Sequence, residues 1–95
     1  MIQLVKIPFP NLRDFILYLP VESRILSVQI EHDAPHLWIM EDLSEIKNSE
    51  YRYFIVYHIG DDIFPEPLNF IAAFQIPGSW YCHFFERVSQ KKAYL

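Results

Sequence analysis

Glycine is almost missing from this chain: Gly60 and Gly78 are the two among 95 residues. A loop that cradles phosphate in its backbone N–H groups needs clustered glycines, so nucleotide sites of that type are excluded. Cysteine is scarcer still. Cys82 stands alone, which rules out an internal disulfide framework and fits a reducing compartment. No apolar run approaches the roughly 20 residues of a membrane-spanning helix. The opening stretch, MIQLVKIPFP, lacks the zoned architecture of a signal peptide. Positive charge is also short. Eight Lys and Arg against twelve Asp and Glu give a net charge of −4, a poor footprint for nucleic acid and too mild an acidic bias to copy a phosphate backbone. There is no repeat, low-complexity tract or Gly/Ser linker. A single domain over 1–95 is expected, with 89–95 as a flexible tail.

What is present favours strands. The chain is 52% hydrophobic, 17% aromatic and 21% charged, far from the profile of a disordered segment. Seven prolines, at 8, 10, 20, 35, 65, 67 and 77, divide it. Residues 24–31 alternate, with Leu26, Val28 and Ile30 on one face and Ser27, Gln29 and Glu31 on the other. His32-Asp33-Ala34-Pro35 supplies turn chemistry, and 36–42 resumes with Leu37 and Ile39 opposite Trp38 and Met40, an antiparallel hairpin. Over 51–59, Tyr51, Tyr53, Ile55 and Tyr57 oppose Arg52, Phe54, Val56 and His58. Both faces are mainly apolar, so this strand is expected at the centre of a sheet or under another layer. Residues 68–76 place Leu68, Phe70, Ala72, Phe74 and Ile76 together, Pro77-Gly78 marks a turn, and 80–87 returns with Trp80, Cys82 and Phe84 opposite Tyr81, His83 and Phe85. The 11–19 stretch fits either a short helix or a strand, and the strand is preferred. In 42–50, Asp42 and Glu45 imitate a capping box without an apolar stripe behind it, which allows one helical turn at most. The fold expected is mainly β, a single small antiparallel β-sandwich or rolled sheet of about six or seven strands with little helix.

Tests for chemistry return little. Cys82 neighbours His83, but adjacent strand residues face opposite sides, so the two cannot form a thiolate–imidazolium couple. A buried, inert thiol is the expectation. His32 and His36 bracket the hairpin turn beside Glu31 and Asp33, the weak candidates for a metal; a site needs three or four converging ligands, and none is expected here. Asp61 and Asp62, near Glu66, are the densest acids outside 41–50 and read most simply as a solvated connection. Ser79 lies in a Pro-Gly-Ser-Trp turn, not a nucleophile elbow. No catalytic residue and no cofactor are expected.

Aromatic residues are the distinctive surplus: six Tyr, eight Phe and two Trp. Most are needed for a small core. The remainder suits an interface, for which Tyr53, Tyr57, Trp80 and Tyr81 are the candidates, and a homo-oligomer is expected. A ligand site would draw on Arg52, Tyr57, His58, Asp61, Asp62, Trp80 and Arg87, which supply ring planes and polar or cationic groups near the aromatic strands, with Lys91 and Lys92 in reserve.

The order Ile25-Leu26-Ser27-Val28-Gln29, then Pro35 and Leu37-Trp38, then Phe74-Gln75 and His83-Phe84-Phe85-Glu86 resembles a family of small phage-encoded domains of unknown function. Lys6 to Pro10 and Leu19-Pro20 match that family's opening phrase and strand end. Where members carry a "GTGHPI"-like phrase, this chain has His58-Ile59-Gly60-Asp61-Asp62-Ile63, so no role is carried over to that loop. The resemblance implies a phage accessory protein in the host cytoplasm, acting by binding. It would counter a host antiviral defence, sequestering a small nucleotide-type signal or blocking a host defence protein. The alternatives are a small metal-dependent or hydrolytic enzyme and a virion or assembly component.

Overall fold

Alternating apolar residues build seven strands in the computed structural model, which describes residues 1–42 and 48–88. They are β1 (Ile2–Pro8), β2 (Asp14–Pro20), β3 (Arg24–Glu31), β4 (Ala34–Asp42), β5 (Ser49–His58), β6 (Leu68–Gln75) and β7 (Tyr81–Arg87). Every pairing is antiparallel, and they form a three-stranded sheet ordered β1-β4-β3 and a four-stranded sheet ordered β2-β5-β7-β6. The described residues contain no helix. The mainly β, sandwich-like expectation holds, and the strand preferred for the 11–19 stretch is present from Asp14 on, with 11–13 in the connection before it. The helical turn allowed in 42–50 falls largely on residues outside those described, as do Lys91, Lys92 and the tail.

The sheets meet face to face over one core. Leu37 and Ile39 from the smaller sheet pack with Phe15, Leu19, Phe54, Val56, Phe74, Cys82 and Phe84 from the larger. Phe54, Phe84, Leu37 and Ile39 lose all contact with solvent, and each such side chain contributes about 1.5–3 kcal/mol of burial free energy. Stacked rings of Phe15, Phe54 and Phe84, with centroids 5.3–5.8 Å apart, run through the centre. β5 is interior to its sheet, as its two apolar faces require.

Two bulges alter the faces read from simple alternation. The β3–β4 register shifts between Ile25 and Ser27, so Ile25 packs against the core with Val28 and Ile30 while Leu26 turns out, 46% exposed. The β6–β7 register shifts between Phe70 and Ala72. Phe74 is therefore buried, Ile71 packs against the core, and Phe70 stands 59% exposed on the outer face, not beside Phe74. An extra residue on one strand reverses the alternation beyond it, and no residue type in either strand announces that.

Candidate functional site

The inward row of β5 runs Arg52, Phe54, Val56, His58, so its two polar residues lie at opposite ends of the apolar centre. At the His58 end the sandwich opens into a cleft of about 400 Å³. The connection from β1 to β2 supplies one wall through Phe9, Pro10, Asn11, Leu12 and Arg13. The β3–β4 hairpin supplies another through Asp33, Ala34, Pro35 and His36, and Val56, His58, Phe74, Ile76 and Cys82 close the rest.

Proline explains the wall at 8–13. Pro8 ends β1 and Pro10 cannot donate to a ladder, so the chain leaves the sheet between them. Phe9 turns inward there, its ring 5.0 Å from Phe84, 5.2 Å from Phe74 and 5.3 Å from Phe15. The Phe9 N–H donates to the Pro35 carbonyl at 3.0 Å, tying this wall to the hairpin. The opposite hairpin is a tight turn in which His32 and Asp33 both have positive φ, 52° and 65°, the pair of values a type I′ turn demands. It is achieved without glycine.

A polar cluster sits at the rim. Asp61 Oδ2 accepts from Arg13 Nη2 at 2.7 Å and from the His58 backbone N–H at 2.7 Å, and lies 3.5 Å from His58 Nδ1. The His58 N–H bond, reinforced by the Arg13 charge, holds the Asp61 carboxyl below the usual carboxylate range. Gly60, at φ 93°, makes the turn that returns Asp61 to His58. Arg13 is anchored at both ends: its carbonyl accepts from Val56 N–H at 2.9 Å, and its guanidinium lies 5.8 Å from the Tyr57 ring. On the hairpin wall, His36 Nδ1 donates to the Ala34 carbonyl at 3.1 Å.

The sequence candidates divide. His58 lines the cleft and Asp61 holds its rim. Tyr57 lies behind it, 4% exposed, its hydroxyl accepting from the Phe64 N–H at 3.3 Å. Asp62 is exposed. Trp80 and Tyr81, 66% and 52% exposed, stand at the start of β7, and Tyr53 is 38% exposed on the outer face of the larger sheet. Arg52 and Arg87 lie elsewhere and are engaged. Arg52 grips both Glu86 oxygens at 2.6 and 2.7 Å, and Arg87 lies 3.2 Å from Glu66 and 3.8 Å from Asp14. His32 belongs to the turn itself.

Residue types alone did not single out Phe9, Arg13 and Ala34, which the cleft brings together. The Pro-Phe-Pro phrase is the available signal, since two prolines so close mark the end of a strand. Cys82 and His58 are register partners on β7 and β5 and both face the cleft. The Cys82 thiol nevertheless points to the Trp80 carbonyl at 3.7 Å, and burial pushes its pKa up, which keeps it a protonated, weak nucleophile. His83 faces the other side, opposite Tyr57. Among the described residues, no three His, Cys, Asp or Glu are placed to hold a metal ion.

Fold and site define a small all-β sandwich with an apolar end cleft and one charged rim. The chain belongs to the family described as Domain of unknown function (DUF7352), whose model matches residues 1–94. No curated protein and no solved structure matches it. No helix among the described residues is long and apolar enough to cross a membrane.

Proposed function

We propose that this domain is a non-catalytic binding protein that holds a small ligand in the end cleft, an aromatic or aliphatic body against Phe9, Val56 and Phe74 with one anionic group toward Arg13 and His58. The observation that carries the reading is the cleft's composition. An apolar concavity of this size, with a few convergent polar groups at one edge, is the usual form of a small-molecule site. Asp61 takes one nitrogen of the Arg13 guanidinium. Arg13's side chain is half exposed, and its other N–H donors are available to an anion. In the phage setting that the sequence resemblance implies, such a ligand is a nucleotide-type signal of a host antiviral defence, retained intact in the host cytoplasm. The weak nucleophilicity of Cys82 supports retention over turnover.

Mass spectrometry of small molecules released by heat from protein incubated in lysate of phage-challenged cells tests this. The expected result is one retained compound with an anionic group. It is lost from Arg13→Ala and from Ala34→Trp, whose indole fills the cleft mouth. Release of nothing from the unaltered protein contradicts the small-ligand reading and favours action on a host protein.

A further inference from the structure

The larger sheet ends in two edge strands, β2 and β6, and the smaller in β1 and β3. Natural edges are blunted by bulges, charges or proline, because open N–H and C=O groups pair with any passing strand. β3 and β6 carry bulges, and β1 carries Lys6 in its middle. β2 has no such device between its ends. Its register with β5 is unbroken from Asp14 opposite Ile55 to Pro20 opposite Ser49, and Phe15-Ile16-Leu17-Tyr18-Leu19 is uncharged.

One bond fixes which groups face outward. Val56 N–H donates to the Arg13 carbonyl, so Phe15, Leu17 and Leu19 bond to β5, and Ile16 and Tyr18 turn their N–H and C=O to the free edge. β5 is the strand that pairs with β2 among the described residues. The Ile16 and Tyr18 side chains are 54% and 62% exposed.

We propose that β2 pairs antiparallel with β2 of a second copy about a two-fold axis at Leu17, joining the two four-stranded sheets into one. The edge is self-complementary about that point. Ile16 falls opposite Tyr18 of the second copy and Tyr18 opposite its Ile16, so the outward N–H and C=O groups of each meet those of the other. Asp14 falls opposite a proline, and no like charges meet. On the outer face the existing rows, Tyr51 beside Tyr18 with rings 4.7 Å apart and Tyr53 beside Ile16, continue across the seam. These residues hide on the order of a few hundred Å² per copy, less than the roughly 800 Å² per partner of a standard interface, so the dimer is a weak one that forms with rising concentration. A foreign strand could meet the same edge, but Phe15–Leu19 offers it no charge to be selected by. Of the tyrosines and tryptophan expected at an interface, this seam uses Tyr53 and leaves Trp80 and Tyr81 outside.

Light scattering of the full chain across a concentration series tests the proposal. The mass should rise from 11.4 kDa toward twice that value. Tyr18→Lys and Ile16→Glu, both at exposed positions, should each raise the dimerisation midpoint at least tenfold, and Trp80→Lys should leave it unchanged. Mixing the Tyr18→Lys and Ile16→Glu chains should restore dimers, because the axis at Leu17 sets those positions opposite each other. A constant 11.4 kDa mass, a dimer indifferent to Tyr18→Lys, or a mixture that stays monomeric overturns it.

Discussion

Arg52 reaches across the inner edge of β5 to Glu86 on β7 in a two-pronged pair, and its Nη1 donates to the Ser23 carbonyl. Both side chains are largely shielded, at 15% and 19% exposure. The Glu86 bonds raise the Arg52 pKa against the opposing effect of burial, so the guanidinium stays charged. Removing one partner strands the other charge. Arg52→Ala should cost about 2–3 kcal/mol in urea unfolding, somewhat below the figure for a fully buried pair. Arg52→Met with Glu86→Leu should recover most of that loss, and a strictly additive double variant would contradict this account. In sequence Arg52 looked like a ligand cation among aromatics. Nothing local in 51–59 reveals a partner 34 residues away on a strand that is its neighbour only in space. Asp61 gives a second test at this scale. Its folded pKa lies below the unfolded value, so its contribution is complete above about pH 4–5, near the ordinary Asp range, and is lost as pH falls through the folded pKa. The stability gap between the unaltered protein and Asp61→Asn should therefore be full at neutral pH and close on acidification; a gap unchanged in strong acid would contradict the assignment.

At the scale of elements, the β3–β4 hairpin forms a two-residue turn from His32 and Asp33, which take positive φ less readily than Asn and Gly do. Replacing them with Asn-Gly should raise stability by about 1 kcal/mol, read as a higher urea midpoint with an unchanged slope. An unchanged or lower midpoint would mean that these side chains stabilise the turn in some other way. Strand positions are legible because their alternation is strong: Arg24–Glu31 has its true bounds, and the faces of β4, β5 and β7 agree with the structure, except that Trp80, expected beside Cys82 and Phe84, precedes β7 and stands 66% exposed. Faces failed at Leu26 and Phe70, where bulges intervene. A bulge depends on how a strand must bend to meet its partner, and that is a property of the pair.

At the scale of the molecule, the Arg52–Glu86 pair sits at one end of the inward row of β5 and the His58 cleft at the other. Three connections distant in sequence converge there: the Pro8–Pro10 corner, the His32–Asp33 hairpin and the 58–61 turn. The sequence showed the breakers that make each connection, and through them His58 and Asp61 as polar groups in a loop. It could not show that Phe9 and Arg13 would face them, because that follows from how the sheets stack. The cleft adjoins the Arg13 end of β2, while the proposed seam centres on Leu17 with Ile16 and Tyr18, so Tyr18→Lys should leave ligand binding intact. Titration of isotope-labelled protein with a nucleoside monophosphate, followed residue by residue by backbone amide NMR, tests the central claim most directly. The account predicts shift changes concentrated at residues 9, 11–13, 34, 36, 56 and 58, absent in Arg13→Ala; an unperturbed spectrum, or changes confined to Tyr18, Tyr51 and Tyr53 on the outer face, would contradict it.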